Sequence, residues 1–233
     1  VAPFDKGENV RREICLTLEK MGIYPESSHH EEGPGQNEID FRYSEPSVAA
    51  DDAMTFRTVV STVAARSGLY ADFSPKPIKN KSGDGMHINV SAKAEDGRDV
   101  MPEVIAGLLK RASETAAFFN ITEDSYRRLG ENKAPKYVSW SSQNRSELIR
   151  IPAAAGEYKR AEYRSPDPLC NPYIAFALII KAGLDGIKNG DKLPPPTDIN
   201  LYTADSKATE LLEILPENSE QAKRIAAQSR FVS

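Results

Sequence analysis

The 233-residue sequence lacks the features of a secreted or membrane-spanning protein. Its two cysteines, Cys15 and Cys170, are far apart and suggest neither a disulfide framework nor a zinc-ligand pattern. No stretch approaches the roughly 20 apolar residues that a membrane span needs, and no signal-peptide pattern opens the chain. These absences predict two free thiols in a cytoplasmic protein that has no membrane partner.

An excess of basic charge is also missing. Lysine and arginine number 30 against 34 acidic residues, which gives a net charge of -4. Nucleic-acid binding therefore has no electrostatic support. Neither a P-loop nor a kinase glycine-rich loop is present, and no serine or cysteine nucleophile pattern stands out.

The length fits one large domain or two small ones.

The pattern of apolar residues and turn signals predicts an α+β fold. Helices are predicted at about residues 5–22, 47–66, 102–116 and 171–190. Strands are predicted at residues 29–41, 85–92, 136–141, 148–151 and 160–164. Regular crossover helices do not follow these strands, so we expect a curved antiparallel sheet with flanking helices. A polar, helix-prone tail follows a proline break at residues 194–196.

The first informative segment is HHEEGPGQNEID at residues 29–40. Its Gly-Pro-Gly is a turn signal. A hairpin centred there would set Glu31 opposite Glu38, with Cβ atoms roughly 5 Å apart. Carboxylates so placed repel each other unless a hard cation lies between them. A solvated acidic turn is the alternative interpretation.

The second segment, residues 83–91, alternates apolar and polar side chains after two glycines. One strand face would carry His87, Asn89 and Ser91, and the apolar face would pack on the core. The polar face then offers a metal ligand and hydrogen-bonding groups. A structural histidine is the alternative, and the glycines would let a substrate approach the backbone closely.

A third segment, NRSELIRIP at residues 144–152, places Arg150 between two isoleucines. A charge in so apolar a run is costly unless it faces an anion. A surface salt bridge is the alternative.

In the fourth segment, RAEYRSPDP at residues 160–168, the side chains of Arg160, Glu162 and Arg164 point the same way if the backbone is extended. Guanidiniums clamp phosphate and carboxylate, and the glutamate can hold a metal; an exposed charged face is the alternative. Taken together, the four segments suit phosphoryl transfer, in which catalysis is largely positioning and charge neutralisation.

These motifs resemble the signature segments of class I glutamine synthetases. The resemblance runs in order from Pro3 to about Asp198. It is carried by HHEEGPGQNEID, SPKPIKNKSGDGMHINVS, NRSELIRIP and EYRSPDPLCNPYIAFALIIKAGLDGI. It implies the C-terminal segment of a glutamine synthetase/guanido kinase-like catalytic domain over residues 1–233, with a core to about 198 and a helical tail at 199–233. The N-terminal β-grasp domain and the first part of the catalytic domain would be absent.

The resemblance also implies roles for individual residues. The implied metal ligands are Glu31, Glu38, His87 and Glu162. The implied glutamate-binding residues are Gly83, Arg128 and Arg164. The implied nucleotide and phosphate-binding residues are Asn89, Ser91, Arg145, Arg150 and Arg160. The implied catalytic residues are Arg128, Arg145, Arg164 and Glu131. Lys76 falls in the family motif SPKP without an assigned role.

The activity implied is ATP-dependent amidation of glutamate with ammonia through γ-glutamyl phosphate. Magnesium or manganese would be the cofactor, and glutamate, ammonia and ATP would be the ligands. The family assembles as dodecamers, whereas we expect this chain alone to be a monomer or small oligomer.

Three departures from the family pattern affect these expectations. The family's remaining metal ligands lie in an E-x-E strand before Val1, so we expect this chain alone to be inactive. Asn89 stands where the family usually has a second histidine. Lys133 stands at or beside the place of a flap glutamate, for which Glu131 would substitute only if the loop is shifted.

Two other functions stay open at this point. Relatives of this fold join glutamate to other amines such as polyamines, and Lys133 weakens the case for ammonia. The chain would alternatively be a non-catalytic assembly or regulatory module that keeps the fold.

Overall fold

The computed structural model describes residues 5–152 and 160–233. The chain forms two compact units, Val1–Phe73 and Ser74–Ser233. None of the described helices has the length and apolar character needed to cross a membrane. Neither Cys15 nor Cys170 is in a disulfide within the described ranges, as predicted.

The first unit is a two-stranded hairpin packed with two helices. Its elements in chain order are α1 Glu8–Lys20, β1 Pro25–His30, β2 Asn37–Phe41 and α2 Pro46–Arg66. Apolar side chains at helical spacing on α1 meet those of α2 in a small core that includes Ile14, Leu18, Val59 and Val63. This core supports the hairpin, because Phe41 on β2 stacks against Phe56 on α2 with ring centroids 5.7 Å apart.

Both helices of this unit end where the sequence predicts. Gly22 follows α1 with φ +85°, and Gly68 follows α2 with φ +72°. Glycine reaches this left-handed backbone region without the steric penalty of a Cβ atom. The N-terminus of α2 also agrees, since Pro46 occupies a first-turn position where no backbone donor is needed.

The second unit combines a small sheet with helices. Its strands are β3 Ile88–Val90, β4 Trp140–Ser141, β5 Ile149–Arg150 and β6 Ala161–Tyr163. Its helices are α3 Met101–Lys110, α4 Ala112–Phe119, α5 Glu123–Arg128, α6 Pro172–Asn189, α7 Ser206–Thr209 and α8 Ser219–Gln228. The α+β prediction is confirmed, and each strand is shorter than predicted.

The sheet order is β3-β6-β5-β4. The two pairs that involve β6 are antiparallel, as predicted, whereas β4 and β5 run parallel. The chain between these two strands turns back sharply, and the Ser141 hydroxyl accepts hydrogen bonds from the backbone N–H groups of Gln143 and Asn144. The chain therefore reverses direction before β5 begins, so β5 runs parallel to β4 and the two strands do not form a hairpin.

The strand register produces one apolar row and one polar row across the sheet. The apolar row is Ile88, Tyr163, Ile149 and Trp140. It belongs to the main hydrophobic core together with α3 and α6, where each large buried side chain contributes about 1.5–3 kcal/mol. The polar row is Asn89, Glu162, Arg150 and Ser141. Because directly opposite residues share a face, the rigid core holds this polar row in place from behind.

Helices α3 and α6, which pack behind the sheet, approach each other unusually closely. A methyl group at Gly107 would lie 2.2 Å from the carbonyl oxygen of Ala182. A methyl at Gly186 would lie 2.1 Å from the carbonyl of Glu103. The helix backbones therefore pack against each other directly, which larger side chains would prevent.

The helical predictions for this unit hold with two differences. Asn171 caps α6 and Gly190 ends it in the left-handed region, as predicted. The single helix predicted from Pro102 breaks at Arg111, whose guanidinium binds Asp185 on α6. Helix α5 was not predicted.

Candidate active site

The hairpin of the first unit places Glu31 and Glu38 differently from the predicted register. Glu38 pairs with His29, and the Glu31 N–H donates to the carbonyl of Gln36. The predicted Glu31–Glu38 opposition is therefore wrong. Residues 32–35 form the turn instead of Pro34 and Gly35 alone, and the Gln36 N–H donates to the carbonyl of Gly33 within it.

The two carboxylates nevertheless come together, with His29 between them. His29 Nε2 lies 2.9 Å from Glu31 Oε1 and 3.9 Å from Glu38 Oε2. One ligand atom from each of the three residues lies within 4.8 Å of the others. Sequence reasoning missed His29, although residues two apart in an extended chain share a face.

Electrostatics within this cluster favour an added positive charge. Burial, followed by the negative charges of Asp40 and Glu31, raises the pKa of Glu38 to about 7. The cluster thus takes up a proton near neutral pH to relieve the repulsion. One nitrogen and two carboxylates form a donor set that suits Mg²⁺ or Mn²⁺.

Glu162 is the centre of the polar row in the second unit. Its Oε1 accepts from His87 Nδ1 at 2.9 Å and from Arg164 Nη1 at 3.0 Å. Its Oε2 accepts from Arg150 Nη1 at 3.0 Å. Burial raises the Glu162 pKa, but the His87 hydrogen bond and the nearby positive charges outweigh it and lower the value to about 2. The carboxylate is therefore ionised at neutral pH.

His87 lies at the edge of β3, with one third of its side chain exposed. Desolvation lowers its pKa, the Arg164 charge acts in the same direction, and the Glu162 hydrogen bond opposes them. A neutral imidazole beside an ionised carboxylate is a pair that can ligate a divalent cation. The structure thus brings His87 and Glu162 together as predicted.

Candidate nucleotide-binding residues lie on and around β3, near His87 and Glu162. Arg160 Nε donates to Asn89 Oδ1 at 3.1 Å. Asn89 itself lies directly opposite Glu162 in the sheet. Ser91 follows β3 on the surface. Arg145 is exposed and is close enough to Arg164 to lower the pKa of that guanidinium.

Arg128 ends α5 and is almost completely buried, at 2% exposure. Its Nη1 donates to the Ser165 carbonyl at 2.9 Å, and its Nη2 donates to the Arg164 carbonyl at 3.1 Å. Burial lowers its pKa to about 10, so the guanidinium stays charged at neutral pH. Gly83 packs on it, since a methyl there would lie 2.9 Å from Arg128 Cγ and 2.4 Å from the Pro75 carbonyl.

The loop at residues 130–133 borders a cavity of about 550 Å³. Asn80, Asn132 and Lys133 line it, and these are the non-glycine residues with positive φ in the described ranges. Such backbone strain clusters at functional sites. Glu131 is bound by Lys76 at 2.8 Å, and the Lys133 carbonyl accepts from Arg164 Nη2 at 2.8 Å.

The whole chain, residues 1–233, matches the family model described as "Glutamine synthetase, catalytic domain". The chain belongs to the glutamine synthetase family. It is 44% identical to the glutamine synthetase of Methanosarcina mazei over 99% of this chain and 55% of that protein. It is likewise 44% identical to the glutamine synthetase of Clostridium saccharobutylicum, over 95% of this chain and 54% of that one. The chain thus spans about half the length of these relatives.

Solved structures share the fold of this chain. The chain aligns with one described as "GmaS/ADP complex-Conformation 1" at a TM-score of 0.87 and 30% identity. That alignment covers 99% of this chain and 58% of the other. An apo GmaS structure aligns at a TM-score of 0.84 and 31% identity, over 97% of this chain and 55% of the other. The fold expected of a partial glutamine synthetase catalytic domain is therefore confirmed.

Proposed function

We propose that this glutamine synthetase domain takes part in the ATP-dependent amidation of glutamate with ammonia, through γ-glutamyl phosphate. The observation that carries this proposal is the coordination of Glu162. One ionised carboxylate is shared by His87, Arg150 and Arg164. A site of this kind offers ligands to a cation and guanidiniums to phosphate at the same place.

Two cation positions follow from the described side chains. His87 and Glu162 would hold one Mg²⁺ or Mn²⁺ ion, and Glu31 and Glu38, with His29 beside them, would hold another. The donor atoms fit hard divalent ions. Burial and the neighbouring carboxylates raise the pKa of Glu38 to about 7, so an added cation would relieve the repulsion there. When bound, such ions neutralise charge on phosphate oxygens.

The arginines of the second unit are the proposed anion-binding groups. We propose that Arg150, Arg160 and Arg145, with Asn89 and Ser91, face the ATP phosphates. Arg128 and Arg164 would bind glutamate carboxylates or the transferring phosphoryl group, with the Gly83 backbone beside them. Arg128 and Arg164 are held by carbonyl groups at 2.8–3.1 Å. Their positive charges are therefore oriented before substrate binds, which is the most effective form of electrostatic stabilisation.

Glu131 is the remaining catalytic candidate. Its carboxylate is paired with Lys76 in the second unit. To accept a proton from ammonium, Glu131 would have to exchange this partner. We therefore propose that Glu131 contributes to loop closure. It would accept a proton from ammonium only if the loop rearranges on substrate binding.

A second candidate function is ligation of glutamate to an amine other than ammonia. The observation that favours it is Lys133 on the wall of the cavity, because a lysine there does not supply a carboxylate that could accept a proton from ammonium. The two candidates share every residue around Glu162 and differ in the nitrogen substrate alone.

Product analysis separates these functions. Full-length protein that contains this domain is incubated with glutamate, ATP, Mg²⁺ and either ¹⁵N-ammonium or putrescine, and products are identified by mass spectrometry. Labelled glutamine formed with ADP supports the main proposal, and a γ-glutamyl-polyamine supports the second. Calorimetry that detects no Mg²⁺-dependent ATP binding would contradict both and indicate a non-catalytic module.

The cellular location, the small-molecule partners and the oligomeric state are also proposals. We place the protein in the cytoplasm, with glutamate, ammonia and ATP as its small-molecule partners. The isolated chain would be a monomer or small oligomer, which light scattering measures directly.

A further inference from the structure

Glu147 is a completely buried carboxylate next to the residues described above. It has 0% exposure, and its Oε1 accepts a hydrogen bond from the Ser146 hydroxyl at 2.9 Å. Its Oε2 has no hydrogen-bond partner among the described residues. Burying a carboxylate with an unsatisfied oxygen is expensive, so its charge requires a compensating positive group.

Backbone contacts bring Glu147 close to Arg164. The Arg164 N–H donates to the carbonyl of Leu148 at 3.0 Å, directly after Glu147. Ser146 is fixed from the other side, since its hydroxyl accepts from the Leu201 N–H at 3.0 Å. Burial is the largest effect and raises the pKa of Glu147 overall, although the Ser146 hydrogen bond and, to a smaller extent, the Arg164 charge oppose it. Glu147 therefore lies within electrostatic range of the Arg164 guanidinium.

Glu162 is not the exclusive counter-charge of Arg164. Glu162 is already shared with His87 and Arg150. Arg164 is 3% exposed, and its Nε has no partner in the described ranges. If Glu162 ligates a divalent cation, its negative charge is used there, and the cation repels the neighbouring guanidinium.

We propose that Glu147 is a positioning residue that acts through Arg164 as its second counter-charge. This inference rests on the proposed function, because it concerns the cation at Glu162 and the phosphate at the arginines. The Glu147 charge stabilises a cation held by Glu162 and keeps Arg164 in place when that cation binds. The same charge weakens the attraction of the guanidiniums for a free anion. Removing it therefore changes cation and anion affinity in opposite directions.

The test is Glu147→Gln, which preserves the size of the side chain and an oxygen that accepts from Ser146. Mn²⁺ alone and inorganic phosphate alone are titrated by calorimetry, and free Mn²⁺ is followed by electron paramagnetic resonance. We expect Mn²⁺ to bind roughly threefold to tenfold more weakly and phosphate to bind more tightly by a similar factor, as expected for one charge at several ångströms in a partly screened site.

Two further variants separate charge from structure. Glu147→Asp keeps the charge and should move both affinities back toward wild type. Glu217→Gln removes one exposed carboxylate and should change neither. Thermal unfolding of each variant reports its stability independently of binding.

The outcomes distinguish the inference from the proposed function. Weaker binding of both probes in Glu147→Gln, or no change in either, would overturn the role of Glu147 and leave the proposed function standing. Wild-type protein that binds neither Mn²⁺ nor phosphate would contradict the proposed function and this inference together.

Discussion

His87 Nδ1 lies 2.9 Å from Glu162 Oε1. His87 immediately precedes β3, and Glu162 lies on the antiparallel neighbour β6. The same carboxylate binds Arg150 and Arg164. The Glu162 carboxylate thus contacts one candidate cation ligand, His87, and two candidate phosphate-binding groups, Arg150 and Arg164.

Acid should destabilise the second unit through Glu162. Its pKa is lowered from 4.5 to about 2, so its contribution is fully present above pH 4.5 and is lost as the pH falls toward 2. The shift corresponds to about 3 kcal/mol for this buried group. Urea unfolding between pH 2 and 6 should show this loss. Glu162→Gln should have a flatter profile across the same range, and an unchanged profile would contradict the assignment.

Cation binding at the first unit should depend on pH near neutrality. The Glu38 pKa is raised to about 7, so a proton competes with the cation below that pH. Without a cation, the stabilising effect of this proton is present below pH 4.5 and is lost as the pH rises through about 7. Mn²⁺ affinity should fall about tenfold per pH unit below 7 and level off above it.

Glu38→Gln provides the comparison for this pH dependence. It removes the titrating group, so the remaining affinity should be weak and nearly independent of pH between 5 and 8. A wild-type affinity that is flat over that range would show that Glu38 does not ligate the ion.

Gly83→Ala should displace Arg128. The new methyl would lie 2.4 Å from the Pro75 carbonyl and 2.9 Å from Arg128 Cγ. Overpacking of this kind costs about 1–3 kcal/mol, and glutamate affinity should fall by more than tenfold. Gly183→Ala is the control, because its methyl meets the Val104 side chain at 3.1 Å and not Arg128. Equal glutamate affinity in the two variants would contradict a substrate-positioning role for Gly83.

Reversing the charge at residue 133 should change the nitrogen substrate. Lys133→Glu puts a carboxylate on the cavity wall, where it attracts ammonium. In full-length protein that contains this domain, the kcat/KM for ammonium should rise by roughly tenfold, which corresponds to about 1.4 kcal/mol in the barrier. Lys136→Glu, on an exposed neighbour outside that lining, is the control. Equal effects of both changes would indicate a general electrostatic effect instead of a specific pocket.

Local chemistry made several elements predictable from the sequence. Left-handed glycines stop α1 and α6, and the Asn171 side chain caps α6, so each signal acts within a few residues of its effect. Alternation in residues 87–90 correctly assigned Ile88 to the core and His87 to the polar face. The grouping of Glu162 with Arg164 followed from the same period of two.

Features set by tertiary contacts were not predictable in this way. The hairpin register depends on the Gln36–Gly33 turn bond, which competes with equally plausible turns. The parallel β4–β5 pair depends on a return loop and not on strand composition. In the sequence, Glu147 resembles an ordinary polar residue. Its proposed role as a counter-charge depends on its burial beside Arg164, which only the fold shows. Helix α5 was overlooked because it is only six residues long, although Thr122 caps it.

The most direct test of the account is a calorimetric titration of ADP into the protein with and without Mn²⁺, repeated in Glu162→Gln. Binding that strengthens at least tenfold with Mn²⁺ in wild type, and loses that gain in the variant, is the predicted result. ADP affinity that is the same with and without Mn²⁺, or unaffected by the substitution, would contradict a cation and nucleotide site at Glu162.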